Sequence, residues 1–138
     1  MGVWAIFKKF ERARPFTEQE AWTLFRVAAL AEAGGWTLLI IGIGLKQYVL
    51  HGNDMPVLIA GQFHGMIFLS YLVAALGLYP SLKWPRWQAI VAAIASVPPY
   101  GSLVFELWAA HRRHQTAIET YRYSLGYTLA SAAIDPNE

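Results

Sequence analysis

The chain of 138 residues contains no cysteine. That one absence removes disulfides, thiolate nucleophiles and cysteine-ligated metal. Charge is scarce as well: charged residues make up 14%, against roughly a quarter in ordinary soluble domains. The net charge is only +2, and the basic residues form no stripe of the kind that reads nucleic acid, so none is expected as a partner. There is no G-x-S-x-G elbow and no G-x-x-x-x-G-K phosphate loop. Ser70, Ser96 and Ser102 have no base near them in sequence. No catalytic residue is therefore assigned, and an enzyme is the less favoured class. The segment Met1 to Arg26 is basic, but the apolar run after it is long. No small-residue cleavage site follows at the distance a signal peptide requires.

What the chain has in abundance is apolar surface. Hydrophobic residues make up 56%, and they gather in three long stretches with the charges at the ends and in two short connections. A soluble core helix keeps a polar face at helical spacing, and these stretches mostly lack one. The first, Val27 to Leu45, is interrupted by Glu32; at about 1.5 Å per residue it matches a hydrocarbon core of ~30 Å. The second, Val57 to Tyr79, holds His64 as its one acidic or basic residue. The third, Gln88 to Trp108, contains Pro98 and Pro99, where a kink is expected. The fold class that follows is an all-α integral membrane protein. Three transmembrane helices, at about 22–46, 56–79 and 87–109, form one small bundle, with the polar, helical segment 110–138 as a tail.

Local signals refine the boundaries. Val3, Trp4, Phe7 and Phe10 recur three or four apart with Lys8, Lys9, Arg12 and Arg14 largely off that face, which predicts an interfacial amphipathic helix within 1–16. Thr17 and Glu20 form a T-x-x-E capping box, so the first long helix should begin near Glu18. Trp22 and Tyr48, then Trp84 and Trp87 beside Lys83 and Arg86, have the composition of headgroup-level anchors. His51-Gly52-Asn53-Asp54 reads as a polar turn, with Asp54 as N-cap and Pro56 in the following first turn.

Ionisable groups within spans are expensive and usually face protein or water with a partner. Four stand out: Glu32, Lys46, His64 and Glu106. Helix rise places Glu32 roughly 15 Å from Trp22 and His64 roughly 12 Å from Pro56, so both fall near mid-depth. With the third run crossing the membrane, Lys46 and Glu106 end together at the outer face. Two level-matched pairs follow: Glu32 with His64, and Lys46 with Glu106. They read either as contacts that fix helix packing, each worth about 1 kcal/mol, or as a polar proton or ion route. Gly61 and Gly65 form a G-x-x-x-G, and Gly34 and Gly35 give the first span a similar small face, so spans one and two should pack closely there. His64 is the only histidine well inside a span. His111 and His114 are spaced i, i+3 at a helix end, but neither set supports haem or metal strongly enough to assign a cofactor.

Taken together, these residues are similar to the YdzA-like small bacterial integral membrane proteins, catalogued as domain of unknown function 3817. The resemblance runs through Phe25-Arg26, Glu32, Leu45-Lys46 and Tyr48 in the first stretch. It continues through Gly61, His64-Gly65, Phe68 and Tyr71 in the second, and Pro99, Gly101, Phe105 and Glu106 in the third. It departs from the family pattern at Gly44, Gln47, Gln62 and Tyr100. The resemblance implies a multi-pass membrane protein and supplies no catalytic assignment.

Lysine and arginine predict orientation. With three spans, a cytoplasmic N-terminus leaves seven of them inside and four outside, so the N-terminus is expected on the cytoplasmic side of the cell membrane, although the basic tail opposes this. The leading reading is a non-enzymatic bundle in the bilayer, associating with itself or with a larger membrane complex. The alternatives are a small pore or carrier subunit lined by Glu32, His64, Lys46 and Glu106, and a lipid-binding protein or membrane enzyme using His64 and Glu32.

Overall fold

The computed structural model describes Gly2, Ala5, Ile6, Lys8, Lys9 and residues 15–134. Val3, Trp4, Phe7 and Phe10 of the expected interfacial helix lie outside the described residues. Among the described residues the ordered elements are all helical: α1 (Glu18–Gly44), a π-helical turn (Leu45–Val49), α2 (Met55–Leu78), α3 (Arg86–Ala95) and α4 (Gly101–Ile134). Contacts divide the chain into two units, 1–106 and 107–138.

Helix α1 starts where the capping box predicts. The Thr17 hydroxyl accepts from the Glu20 amide at 3.3 Å, and the Glu20 carboxylate accepts from the Thr17 amide at 2.9 Å. At its far end the helix widens into the π-helical turn, with the Leu50 amide donating to Leu45 at 2.9 Å. His51 and Gly52, both at positive φ, then reverse the chain. Asp54 does hold the N-cap position of α2, but its side chain makes no capping bond. Asn53 does that work instead, accepting from the Met55 amide at 3.0 Å.

Helices α1 and α2 run antiparallel and touch most closely at Gly35 and Gly42. A Cβ on Gly42 would stand 2.9 Å from the Pro56 carbonyl oxygen and 3.1 Å from the Ala60 Cβ. One on Gly35 would stand 3.0 Å from His64 Nδ1. The small-residue seam is therefore set by Gly35 and Gly42. Gly34 and Gly65 have nothing within 4 Å of where a Cβ would be, and Gly61 meets only Leu39 at 3.9 Å. Gly65 lines instead a shallow open groove of about 610 Å³ on α2, and Gly61 a second one of about 450 Å³ nearer Asp54.

The third apolar stretch is not one kinked helix. Helix α3 ends at Ala95, and α4 begins at Gly101. The physical reason lies in the Val97-Pro98-Pro99-Tyr100-Gly101 sequence. Proline has no amide to continue the ladder, and the residue before a proline is pushed out of helical geometry. Tyr100 then adopts a left-handed φ of 61°. A side chain on Gly101 would collide with the Ala95 carbonyl oxygen at 2.1 Å and Pro98 Cγ at 2.8 Å. Level by level against α1, the chain rises and returns. Trp84 packs on Trp22 and Phe25, Ser96 meets Trp36, Tyr100 meets Thr37, Ser102 meets Glu32, and Glu106 meets Arg26. Thus α3 and the first turns of α4 form a hairpin that reaches the middle of α1 and goes back. Ten residues of α3 span only about 15 Å.

The core sits at the base of this hairpin. Phe25 is fully buried, and its ring lies 4.9 Å from Trp84, 5.7 Å from Tyr71 and 6.1 Å from Phe105, mostly edge to face. Such pairs add about 0.5–1.5 kcal/mol each beyond the area they bury. Trp22 and Trp84, which composition marks as headgroup anchors, belong to this core, each only 9% exposed. Tyr48 and Trp87 remain exposed.

In the second unit α4 continues as helix to Ile134. Arg112 lies over the Trp108 ring at 5.1 Å. Thr116, Thr120 and Thr128 return their hydroxyls to carbonyls four residues back, and the described side chains from His111 to Ser131 are exposed.

Candidate functional site

A polar cluster occupies the tip of the hairpin. Ending α3 early frees carbonyls that a continuous helix would have satisfied. Two are capped by side chains from neighbouring helices: the Tyr71 hydroxyl donates to Ala92 at 2.9 Å and the Trp36 indole to Ser96 at 3.4 Å. The Ser96 hydroxyl closes on Ala93 at 2.6 Å. The Thr37 and Tyr100 hydroxyls meet at 3.1 Å.

Glu32 lies just below, with no exposed surface. Its Oε2 accepts a long bond from the Ser102 hydroxyl at 3.5 Å, in the first turn of α4. That is the positive end of a helix, where a carboxylate is favoured. Its Oε1 has no hydrogen-bond partner among the described residues, and neither does the buried His64 Nδ1. Glu32 and His64 interact electrostatically. The imidazole ring lies 4.6 Å from Trp36 and 6.3 Å from Phe68, tilted to both. Glu32 and His64, level-matched by helix rise, thus lie on neighbouring turns of the α1–α2 contact, His64 against Gly35.

The second expected pair is not formed. Glu106 is buried and receives the Arg26 guanidinium at 2.7 Å, near the start of α1. Lys46 pairs with Asp54 across the turn between α1 and α2. The depth estimate placed Glu106 at the wrong end because it carried the third stretch through Pro98-Pro99 without reversal. Sequence reading also missed Arg26, Asp54, Trp36 and Ser102 as partners. Asp54 follows Lys46 across a short turn, a spacing that could have suggested the pair; Arg26 could be found only by recognising the hairpin.

Two helices, Glu18–Val49 and Met55–Leu78, are long and apolar enough to cross a membrane, and only 6% of the most apolar α2 window is buried. Among the described residues no group of three or more histidines, cysteines and carboxylates could hold a metal ion. What these features define is a helical protein with two helices of membrane-crossing character and a polar cluster between them.

The family described as domain of unknown function DUF3817 matches residues 22–111, and the chain belongs to it. A Streptomyces coelicolor protein whose name assigns it provisionally to the membrane is 35% identical over 86 residues. The match covers 62% of this chain and 10% of that protein, so the chain spans about a tenth of the length of the curated relative it matches. No solved structure matches it.

Proposed function

We propose that the protein is a bilayer-embedded accessory module with two spans, α1 and α2, and a re-entrant hairpin made of α3 and the start of α4. Its role is to associate with a second copy or with a larger membrane assembly. The observation that carries this reading is the naked apolar surface of α2: Leu58, Phe63, Met66, Leu69 and Val73 are each more than half exposed, Val73 at 72%. Water would not tolerate such a continuous patch on a monomer, whereas lipid and partner helices do. Gly61 and Gly65 on that helix suit a close backbone approach. The size of the Streptomyces coelicolor relative supports a module that works alongside others.

Orientation follows from the same path. The hairpin returns at Glu106 to the end where α1 begins. Within 1–106, seven of the eight lysines and arginines then fall on one side of the proposed bilayer and Lys46 alone on the other. The positive-inside rule makes the crowded side cytoplasmic. No continuous polar pathway is supported, since Lys46 and Glu106 are engaged at opposite ends.

The chain has no native cysteine, so single cysteines at Asn53 and Gln115 can be labelled in sealed vesicles. Gln115 should react from the side opposite Asn53, and the protein should resist carbonate extraction. Labelling of both from one side would overturn the proposed path. Cross-linking in mild detergent should trap a species above monomer that Gly65→Leu weakens without altering monomer stability. A clean monomer in nanodiscs would remove the self-association reading.

A further inference from the structure

We propose that Glu32 and His64 together form a binding site for one proton, buried at the tip of the α3–α4 hairpin. Glu32 is fully buried with one oxygen unsatisfied, and His64 presents an equally buried Nδ1 without a partner. His64 Nδ1 packs against Gly35, one helical turn beyond Glu32 on α1. The Trp36 ring lies 4.6 Å from the imidazole, tilted against it. Two orphaned polar atoms of this kind, left unmatched, cost roughly 1–3 kcal/mol apiece.

The chemistry of the pocket selects a proton over other cations. A metal or alkali ion needs several free oxygens, yet the Ala92 and Ser96 carbonyls already accept from Tyr71 and Trp36. The positive end of α4 beside Glu32 favours a carboxylate there. A carboxylate and a neutral imidazole carry one net negative charge. When the imidazole gains a proton, the pair becomes neutral and Nδ1–H donates to Oε1, satisfying both orphans. An apolar setting favours that neutral pair. The groups that act on Glu32 are His64 from α2, with Ser102 from α4 as a neutral donor and the neutral Trp36 of α1 beside it; Glu32 in turn acts on Tyr71. Glu106, the next acid on α4, is matched by Arg26.

The proposal rests on the bilayer reading for the depth of the site only, so it is tested on the full chain in detergent. Nitrogen-15 spectra of the histidines across pH separate His64 from His51, His111 and His114, which are exposed and serve as references. In the wild type His64 should show a hydrogen-bonded Nδ1–H signal that moves upfield in Glu32→Gln, where the acceptor is no longer a carboxylate, with the other three histidines unmoved. Absence of that signal, or its indifference to Glu32→Gln, would overturn the proposal. Should Glu32→Gln fail to fold, His64→Gln gives a second reading by infrared spectroscopy. Loss of the imidazole should bring up a buried carboxylic-acid band, at a pH where the wild type shows none. A carboxyl signal indifferent to His64 across the same range would equally sink the site. Failure of carbonate resistance with these shifts intact would instead count against the bilayer reading.

Discussion

The guanidinium of Arg26 on α1 donates to Glu106 on α4 at 2.7 Å, joining residues eighty positions apart. The pair is lopsided: the Arg26 side chain is 58% exposed and that of Glu106 3%. Removing the arginine strands a buried carboxylate, whereas neutralising the carboxylate leaves an arginine that solvent or headgroups can serve. Arg26→Met should therefore destabilise the protein by roughly 1–3 kcal/mol, below the cost for a fully buried pair because Arg26 is half exposed. Glu106→Gln should cost less. Thermal unfolding of both variants in one detergent decides the order, and the reverse order would mean that the bond is not what holds Glu106.

The α1–α2 crossing makes a prediction about glycine. A methyl at Gly42 meets backbone, the Pro56 carbonyl oxygen at 2.9 Å, which cannot swing away. Gly42→Ala should cost roughly 1–3 kcal/mol through forced separation of the helices. Gly34→Ala, with nothing within 4 Å, should be neutral or gain up to about 1 kcal/mol from helix propensity. Equal melting temperatures for the two variants would contradict the seam described here.

Gly101 is the most constrained position of the hairpin, since a Cβ there would lie 2.1 Å from the Ala95 carbonyl oxygen. Gly101→Ala should lower stability by several kcal/mol, as large values accompany forced strain of this kind. Trp36 and Trp84 fluorescence would report the loss of the hairpin. If the variant folds with wild-type spectra and stability, the reversal at Pro98-Pro99 is not tight.

Lys46 and Asp54 make the opposite case. Their side chains are 39% and 79% exposed, and exposed pairs contribute about 0–1 kcal/mol. Asp54→Asn should shift stability by no more than about 0.5 kcal/mol. A loss of several kcal/mol in a detergent melt would show that the turn matters more to the fold than its exposure implies.

Much of this was legible without coordinates. The Thr17–Glu20 box located the start of α1, because capping depends on residues three apart. The polar His51-Gly52-Asn53-Asp54 stretch marked the turn between α1 and α2, and helix rise put Glu32 and His64 at one level. The hairpin was not legible in the same way. An apolar count treats Gln88 to Trp108 as one run, and proline tells only that a helix is disturbed. Whether it kinks or reverses depends on Tyr100 reaching a left-handed φ and on Gly101 fitting under Ala95, which are tertiary matters. The same error moved Glu106 to the wrong end and turned Trp22 and Trp84 from core into surface. The G-x-x-x-G at Gly61 and Gly65 was visible, but nothing in it says which neighbour it faces.

A hairpin that stops halfway divides the molecule unequally between two leaflets. In the proposed orientation the cytoplasmic half of the bilayer surrounds four helical segments and the outer half only α1 and α2. Residues 18–106 would then displace more lipid area from one leaflet than from the other. On the proposed path that imbalance would be smallest where the membrane already bends, and local curvature would enter into where the protein accumulates.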